Sequence, residues 1–85
     1  MKHFIHSDFQ ECYDKLPRQV KKLADKNLAL LKENPQHPSL FLKKVADYWS
    51  IRIGKRHRAL AVKVEDGLVW FRVGTHAEYD RQIQK

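Results

Sequence analysis

The hydrophobic pattern of this 85-residue chain has one period before Pro35 and a different period after Pro38. Before Pro35 the apolar residues recur every three to four positions, which is typical of helices packed along one face. After Pro38 they alternate, as Trp49, Ile51 and Ile53 do, which is typical of a half-buried strand. A chain with helices first and strands afterwards is expected to form an α+β fold, with the helices packed on one face of an antiparallel sheet.

Two helices are predicted in the first half of the chain. Ser7 and Gln10 have the spacing of a capping box, which predicts a short helix over residues 8–15. Pro17 suits the first turn of a second helix, because the N–H that proline lacks would have no partner there. This helix is expected to end just before Pro35, which disfavours helical backbone in the preceding residue. Its apolar stripe consists of Val20, Leu23, Ala24, Asn27, Leu30 and Leu31.

The second half of the chain predicts a meander of strands. The alternating strand is followed by residues 58–64 and 68–73, which also have strand-like patterns and are separated by a turn at Gly67. A further short edge strand is predicted at residues 2–6. The chain has the length of one domain, and residues 1–85 are expected to fold as a single unit.

A final helix is predicted after the meander. Thr75 and Glu78 again have the spacing of a capping box, and the helix contains His76, Tyr79 and Ile83. Since His76 and Tyr79 are three positions apart, both side chains can project from the same side of the helix. The predicted order of elements is strand, helix, helix, strand, strand, strand, helix.

Positive charge is concentrated in one part of the sequence. The chain has 17 Lys and Arg against 10 Asp and Glu, a net charge of +7. Such an excess favours a polyanion, because each phosphate that is neutralised releases condensed counterions, and it also attracts acidic proteins. A solubilising surface is the alternative. Against one acid, Asp47, residues 43–63 hold Lys43, Lys44, Arg52, Lys55, Arg56, Arg58 and Lys63.

The composition also limits which cofactors the protein can bind and in which cellular compartment it is expected. Cys12 is the only cysteine, which excludes an internal disulfide and a cysteine-based zinc site. No cluster of ligand residues has metal-binding spacing and no glycine-rich phosphate loop is present, so neither a metal nor another cofactor is expected. The amino terminus lacks the apolar core of a signal peptide, and no apolar stretch is long enough to span a bilayer. A cytoplasmic protein without membrane association is predicted.

Several short strings resemble the RelE/ParE superfamily of bacterial toxin–antitoxin toxins. The resemblance extends over almost the whole chain and rests on the order and spacing of the strings together with the order of the predicted elements. The strings are Leu16-Pro17, Glu33-Asn34-Pro35, His37-Pro38-Ser39-Leu40, Lys43-Lys44, Tyr48-Trp49-Ser50-Ile51-Arg52-Ile53, His57-Arg58 and Gly74-Thr75-His76-Ala77-Glu78-Tyr79-Asp80.

The resemblance implies a RelE-like fold and a small toxin that is neutralised by a co-expressed antitoxin. Many members cut messenger RNA in the ribosomal A site, by metal-free attack of a ribose 2′-hydroxyl on the adjacent phosphate. Members that are more similar to ParE inhibit DNA gyrase instead. The ribonuclease reaction needs a base, an acid for the leaving 5′-oxygen, and cations that face the charge on the phosphorane. An acidic antitoxin and ribosome-bound messenger RNA are therefore the expected partners.

The resemblance also implies roles for four residues. Arg58 matches the strand arginine that stabilises charge in YoeB-like members. His76 and Tyr79 occupy the carboxy-terminal region where those members place a His, a Tyr or both. Arg52 matches a further basic position on the strands.

The sequence departs from YoeB-like members at the general base. Those members use a glutamate just before the tryptophan-containing strand, whereas residues 39–46 contain no carboxylate and Asp47 does not match. RelE-like members use lysines in this region, a role that Lys43 or Lys44 can imitate only as a neutral amine. The base is left unassigned.

RNA binding is predicted for the basic side chains outside this catalytic set. The turn over residues 54–57, called the basic turn below, is expected to face solvent and contact phosphates. The sheet face that carries Arg52 and Arg72 is expected to be functional. The predicted RNA-binding residues are Lys43, Lys44, Lys55, Arg56, His57 and Arg72.

Each candidate also has a structural alternative. Arg58 can form a structural ion pair within its apolar strand. Tyr79 can be an ordinary core residue packed with Ile83, and His76 can be a solvated residue of the first helical turn. Trp49 and Trp70 can stack on bases, but packing in the core of so small a domain is the favoured interpretation.

Three hypotheses remain at this point. The first is a ribosome-dependent endoribonuclease toxin, and the second is a non-catalytic RelE/ParE-like protein such as a gyrase inhibitor. The third is a small basic RNA-binding module that shares only the fold.

Overall fold

The computed structural model describes residues 2–83 of the chain, with side chains described for residues 2–81. The change of hydrophobic period separates the helices from the strands of the meander, as the sequence predicts. The elements in chain order are β1 (Lys2–Ile5), α1 (Ser7–Asp14), α2 (Arg18–Glu33), β2 (Lys43–Val45), β3 (Tyr48–Ile53), β4 (His57–Val64), β5 (Gly67–Thr75) and α3 (His76–Ile83).

The five strands form one sheet in the order β1-β5-β4-β3-β2. Strands β2 to β5 pair antiparallel, as the meander predicts, and the α+β class is confirmed. β1 pairs parallel with β5, so the sheet is mixed at this edge. β2 was not predicted, because three residues are too few to show an alternating pattern. Nor was the 3₁₀ turn Pro38–Leu40, which lies in the expected loop.

The helices α1 and α2 cover one face of the sheet, called the core face here. Trp49 lies opposite Ala61 and Ile51 opposite Ala59, so their side chains share this face. Phe9 of α1 and Leu31 of α2 belong to the same buried cluster. Burying such apolar side chains contributes about 1.5 to 3 kcal/mol for each large one. The prediction that the helices pack on one face is confirmed for α1 and α2.

The helix α3 lies against the opposite face. Arg58 pairs with Arg52, and Leu60 pairs with Ser50, so these side chains alternate with those of the core face. The Arg58 guanidinium lies over the ring of Tyr79 in α3, 5.4 Å from its centroid. This second face, defined by Ser50, Arg58 and Leu60, is called the Arg58 face below.

Two details of the helix starts differ from the prediction. The N-cap of α1 is His6, whose Nδ1 accepts a hydrogen bond from the backbone N–H of Asp8, so Ser7 and Gln10 do not form the expected capping box. Pro17 precedes α2 as its N-cap, with an extended ψ of 152°, and Arg18 is the first helical residue. The predicted end of α2 is confirmed, since Asn34 is its C-cap.

The strand β1 is held to the core by a histidine. His3 Nδ1 accepts a hydrogen bond of 3.1 Å from the indole Nε1 of Trp70, which is itself fully buried. Burial of His3 lowers the pKa of its imidazole below the ordinary value of 6.5, and the charge of Lys32 acts in the same direction. Only the neutral ring can accept this bond, because both nitrogens of a protonated imidazole are donors.

We expect the protein to lose stability as the pH falls below about 6.5 and through the lowered pKa of His3. Under these conditions the unfolded chain binds more protons at residue 3 than the folded chain does. Thermal unfolding between pH 5 and 8 checks this, with His3→Gln as the comparison. The variant should show a smaller loss on acidification, and equal losses in the two proteins would contradict the assignment.

Candidate functional site

Arg58 occupies the first half of β4, in the middle of the sheet. Its backbone pairs with Arg52 on β3 and with Gly74 on β5, which places it between two neighbouring strands. Its side chain is half-buried, and Nη1 lies 3.5 Å from the hydroxyl oxygen of the fully buried Ser50. This is a long contact that leaves the guanidinium available for further hydrogen bonds.

Arg58 has no ionic partner in the part of the chain that the structure describes. The ion pairs found there join Lys2 to Asp66 and, when the imidazole is protonated, His6 to Asp8. The alternative of a structural ion pair at Arg58 is therefore not what the structure shows. A half-buried cation whose neighbours are a hydroxyl and an aromatic ring is suited to receive an anion.

The capping box at the start of α3 places His76 and Tyr79 next to Arg58. The backbone N–H of Thr75 donates to Oε1 of Glu78 at 3.0 Å, and the N–H of Glu78 donates back to Oγ1 of Thr75 at 3.3 Å. The bond from the Thr75 backbone is the main reason why the pKa of Glu78 is lowered. The predicted capping box is thus confirmed, and it fixes the direction in which α3 leaves the sheet.

The three residues Arg58, His76 and Tyr79 form one contiguous group. The imidazole of His76 meets the ring of Tyr79 edge to face, with centroids 6.1 Å apart. The ring of Tyr79 is buried beneath the guanidinium of Arg58, whereas His76 is exposed. The predicted packing of Tyr79 against Ile83 involves a side chain outside the described residues.

Arg52 is turned away from this group, although its backbone pairs with that of Arg58. Its Nε donates to the carbonyl oxygen of Gly54 at 2.9 Å, and its guanidinium lies 5.2 Å from the ring centroid of Phe41. The carbonyl of Arg52 accepts a bond from the buried side chain of Asn27. The structure therefore places Arg52 in a separate groove of about 360 Å³ beside α2.

The two lysines of β2 point to different faces of the sheet. Lys43 pairs with Ser50 and Lys44 pairs with Trp49, and both lysines are exposed. Because paired residues share a face, Lys43 lies on the Arg58 face and Lys44 on the core face. Of the two lysines that the sequence offered in place of a glutamate base, only Lys43 shares the face of Arg58.

The basic turn stands at the end of the β3–β4 hairpin. Gly54 adopts a φ of 67°, which favours glycine, and Lys55 and Arg56 are exposed as predicted. The carbonyl of Arg56 accepts the N–H of His76 at 2.9 Å, so the turn is tied to the start of α3. The prediction is wrong for His57, which is half-buried because it is already the first residue of β4.

The tryptophans are core residues rather than base-stacking platforms. Trp70 is fully buried in the main cluster, and Trp49 packs against that cluster from its edge. Sequence reasoning missed the contact of Ser50 with Arg58. Only the strand register could have indicated this contact. Ser50 pairs with Leu60, and Leu60 shares a face of β4 with Arg58, so Ser50 lies on the Arg58 face.

Within the described residues, no group of three or more His, Cys, Asp or Glu side chains is arranged to hold a metal ion. None of the helices found there has the length and apolar character needed to cross a membrane.

Comparison with known proteins identifies the family. A family model described as the ParE-like toxin domain matches residues 18–81, which include Arg58, His76 and Tyr79. The chain belongs to the ParE-like toxin family. The RelE/ParE resemblance of the sequence is thereby confirmed, and this ParE-like toxin is a toxin of the RelE/ParE type of toxin–antitoxin system. No curated protein sequence matches it significantly.

Solved structures share the fold of this ParE-like toxin at low sequence identity. A chain of the RelB–RelE antitoxin–toxin complex from Methanococcus jannaschii has a TM-score of 0.72 at 18% identity, over 92% of this chain and 96% of that one. The YoeB/ParE toxin from Agrobacterium tumefaciens has a TM-score of 0.67 at 17% identity, over 89% and 99%. The isolated Escherichia coli RelE toxin has a TM-score of 0.63 at 16% identity, over 96% and 94%.

Proposed function

We propose that this ParE-like toxin is an endoribonuclease that cuts messenger RNA on the ribosome. The observation that carries the proposal is the group of Arg58, Tyr79 and His76, in which a half-buried cation without an ionic partner in the described chain lies beside two side chains capable of proton transfer. Inhibition of gyrase by binding does not require a cation and two proton-transfer groups in contact. A phosphoryl-transfer site needs such a combination.

The proposed reaction is attack of a ribose 2′-hydroxyl on the neighbouring phosphorus. The 2′-oxygen forms a bond to phosphorus as its proton passes to a base, and the bond from phosphorus to the 5′-oxygen breaks. The products are a 2′,3′-cyclic phosphate and a 5′-hydroxyl. Arg58 faces the charge that develops on the phosphorane oxygens. His76 or Tyr79 protonates the leaving 5′-oxygen, and Lys43 is the candidate base because it shares the Arg58 face.

We further propose that an acidic antitoxin binds and neutralises this cytoplasmic toxin. The net charge of +7 favours such a partner. The similar structure from Methanococcus jannaschii, and a second Escherichia coli structure of the same fold, are complexes of RelE with the antitoxin RelB. Co-purification with the product of a neighbouring gene tests the partner.

Mapping of messenger RNA 5′ ends after induced expression tests the ribonuclease. New 5′ ends within translated regions are expected, together with growth arrest. Growth arrest with intact messenger RNA would contradict the proposal, and loss of DNA supercoiling in the same cells would then identify gyrase as the target. Harmless expression would favour a basic RNA-binding module.

Removing the two exposed cations of the basic turn should weaken RNA binding without changing sequence preference. In the double variant Lys55→Ala, Arg56→Ala, the slope of log affinity against log salt for single-stranded RNA should fall by about 0.7 for each phosphate that is no longer neutralised. Titrations at several salt concentrations measure this slope. The matched control is Arg18→Ala, Lys22→Ala on α2, which removes the same charge from another exposed surface. Equal effects of both variants would mean that only net charge matters.

A further inference from the structure

Arg72 on β5 contains a buried donor that nothing in the described structure satisfies. Its Nε has no hydrogen-bond partner within the described residues, although the atom is shielded from solvent. A buried donor that lacks a partner carries the full cost of removing it from water, and for a charged group this cost is large. Most such groups in native proteins are paired, so the missing partner of Arg72 needs an explanation.

Arg72 lines a cavity of about 350 Å³ at the end of the sheet. The cavity lies where the end of α1, the end of β5 and the start of α3 meet. Lys15 contributes from the α1 side, His57 from β4, and Thr75 and Glu78 from the start of α3. The volume is ample for a phosphate group with an attached sugar or water.

The charge of the cavity is complementary to an anion. Lys15 and Arg72 are cations, and His57 adds an imidazole ring that can donate a hydrogen bond. Glu78 is the one acid in the lining, and its Oε1 is engaged by the backbone and hydroxyl of Thr75 in the capping box. Glu78 and Arg72 attract each other but do not form an ion pair within 4.0 Å. The capping box holds Oε1 of Glu78 on Thr75, so Glu78 lowers the positive charge of the cavity without hydrogen-bonding to Arg72.

The cavity also adjoins the Arg58 site. Arg58 pairs with Gly74, and Leu60 pairs with Arg72. Arg58 and Arg72 therefore lie on adjacent strands, and their positions along the strands differ by two residues. His57, the neighbour of Arg58 on β4, also belongs to the cavity lining. A polyanion that contacts Arg58 can therefore reach a second cation, Arg72, on the neighbouring strand.

We propose that this cavity is a phosphate subsite, in which Arg72 and Lys15 hold a backbone phosphate of the RNA next to the phosphate that Arg58 faces. The inference rests on the proposed function for the identity of the ligand. The guanidinium presents several N–H groups in a fixed fork, a geometry that suits the oxygens of a phosphate group.

Inorganic phosphate is the first probe, because its binding does not depend on cleavage. At a concentration about ten times Kd, phosphate should raise the Tm of the toxin by roughly 5 to 10 °C relative to chloride at equal ionic strength. Arg72→Met should abolish the shift. Lys63→Met removes a charge from an exposed position at the far end of β4 and should retain the shift. A phosphate shift that survives in Arg72→Met would overturn the proposal.

The Tm without phosphate separates a binding role of Arg72 from a structural one. Arg72→Met removes a buried unpaired donor and should therefore raise the Tm in chloride. A lower Tm for the variant would show that Arg72 supports the fold and would count against the proposal. Lys15→Gln, on the exposed rim, gives an independent test that does not disturb packing, because it should weaken phosphate binding in a protein of unchanged Tm.

Single-stranded RNA with 2′-O-methyl groups, which cannot be cut by 2′-hydroxyl attack, is the second probe. Arg72→Met should bind it about tenfold more weakly than Lys63→Met does, with a salt slope lower by about 0.7. If inorganic phosphate binds but the affinity for this RNA is unchanged, the ligand is a free phosphate compound and the RNA assignment is wrong. Failure of the toxin to cut messenger RNA would contradict the proposed function alone, since neither binding measurement involves cleavage.

Discussion

Arg58→Ala should reduce messenger RNA cleavage by roughly 10² to 10³ while the protein remains folded, because it removes an electrostatic stabiliser of the transition state. The fold should tolerate the change, since Arg58 makes only a long contact with Ser50 and a cation–π contact with Tyr79 in the described structure. Cleavage of a defined messenger RNA in a ribosome-based assay measures the rate, and circular dichroism reports the fold. Loss of growth arrest should accompany the loss of cleavage.

Lys63→Ala is the matched control for Arg58, because Lys63 is an exposed cation on the same strand. It should cut at the rate of the unmodified toxin. A folded Arg58→Ala protein with undiminished cleavage would exclude Arg58 from the chemistry, and an unfolded one would restore the structural interpretation of this residue. If Arg58→Ala still arrests growth and the messenger RNA stays intact, the toxin acts as a non-catalytic inhibitor.

Tyr79→Phe should reduce cleavage by roughly 10² to 10⁴ if the phenol takes part in proton transfer. The substitution keeps the aromatic ring that packs beneath Arg58 and meets His76, and it removes only the hydroxyl. The fold and the position of Arg58 should therefore be unchanged. The measurement is the single-turnover cleavage rate, with thermal unfolding as the check on stability.

His76→Ala distinguishes the two candidate acids. If His76 is the acid, its variant shows the large reduction in rate and Tyr79→Phe cuts almost normally, whereas the reverse pattern assigns the proton transfer to Tyr79. His76 is exposed, so its removal should leave the Tm unchanged. Normal cleavage by both variants would remove both residues from the mechanism.

The parts of the fold that could be predicted are those specified by neighbouring residues. The Thr75–Glu78 capping box was predictable because both partners of its hydrogen bonds lie within four positions. The end of α2 was predictable because proline acts on the residue directly before it. The cap of α1 was predicted at the wrong residue, because serine is the preferred N-cap type, whereas here the N–H of Asp8 donates to Nδ1 of His6.

The candidate site depends on distances that the sequence does not contain. Arg58 and Tyr79 are 21 positions apart, and they meet because α3 turns back over the sheet after β5. Strand parity placed Arg52 and Arg72 on one face and left the orientation of Arg58 open, and the register shows that all three arginines share that face. Parity gives the face on which a residue lies but not the direction in which a long side chain extends. The hydrogen bond from Arg52 to the carbonyl of Gly54 directs the Arg52 guanidinium away from Arg58.

The parallel pairing of β1 with β5 joins two strands that are far apart in the sequence. Lys2 lies opposite Gly67 and Ile5 opposite Trp70, so β1 cannot pair until β5 has been synthesised. Closing so long a loop is slow compared with forming the local β3–β4 hairpin. Both α3 and the β1–β5 edge form only after residues 67–83 have been synthesised. On the proposed function, a nascent chain that lacks these residues should therefore be inert towards the ribosome that is translating it.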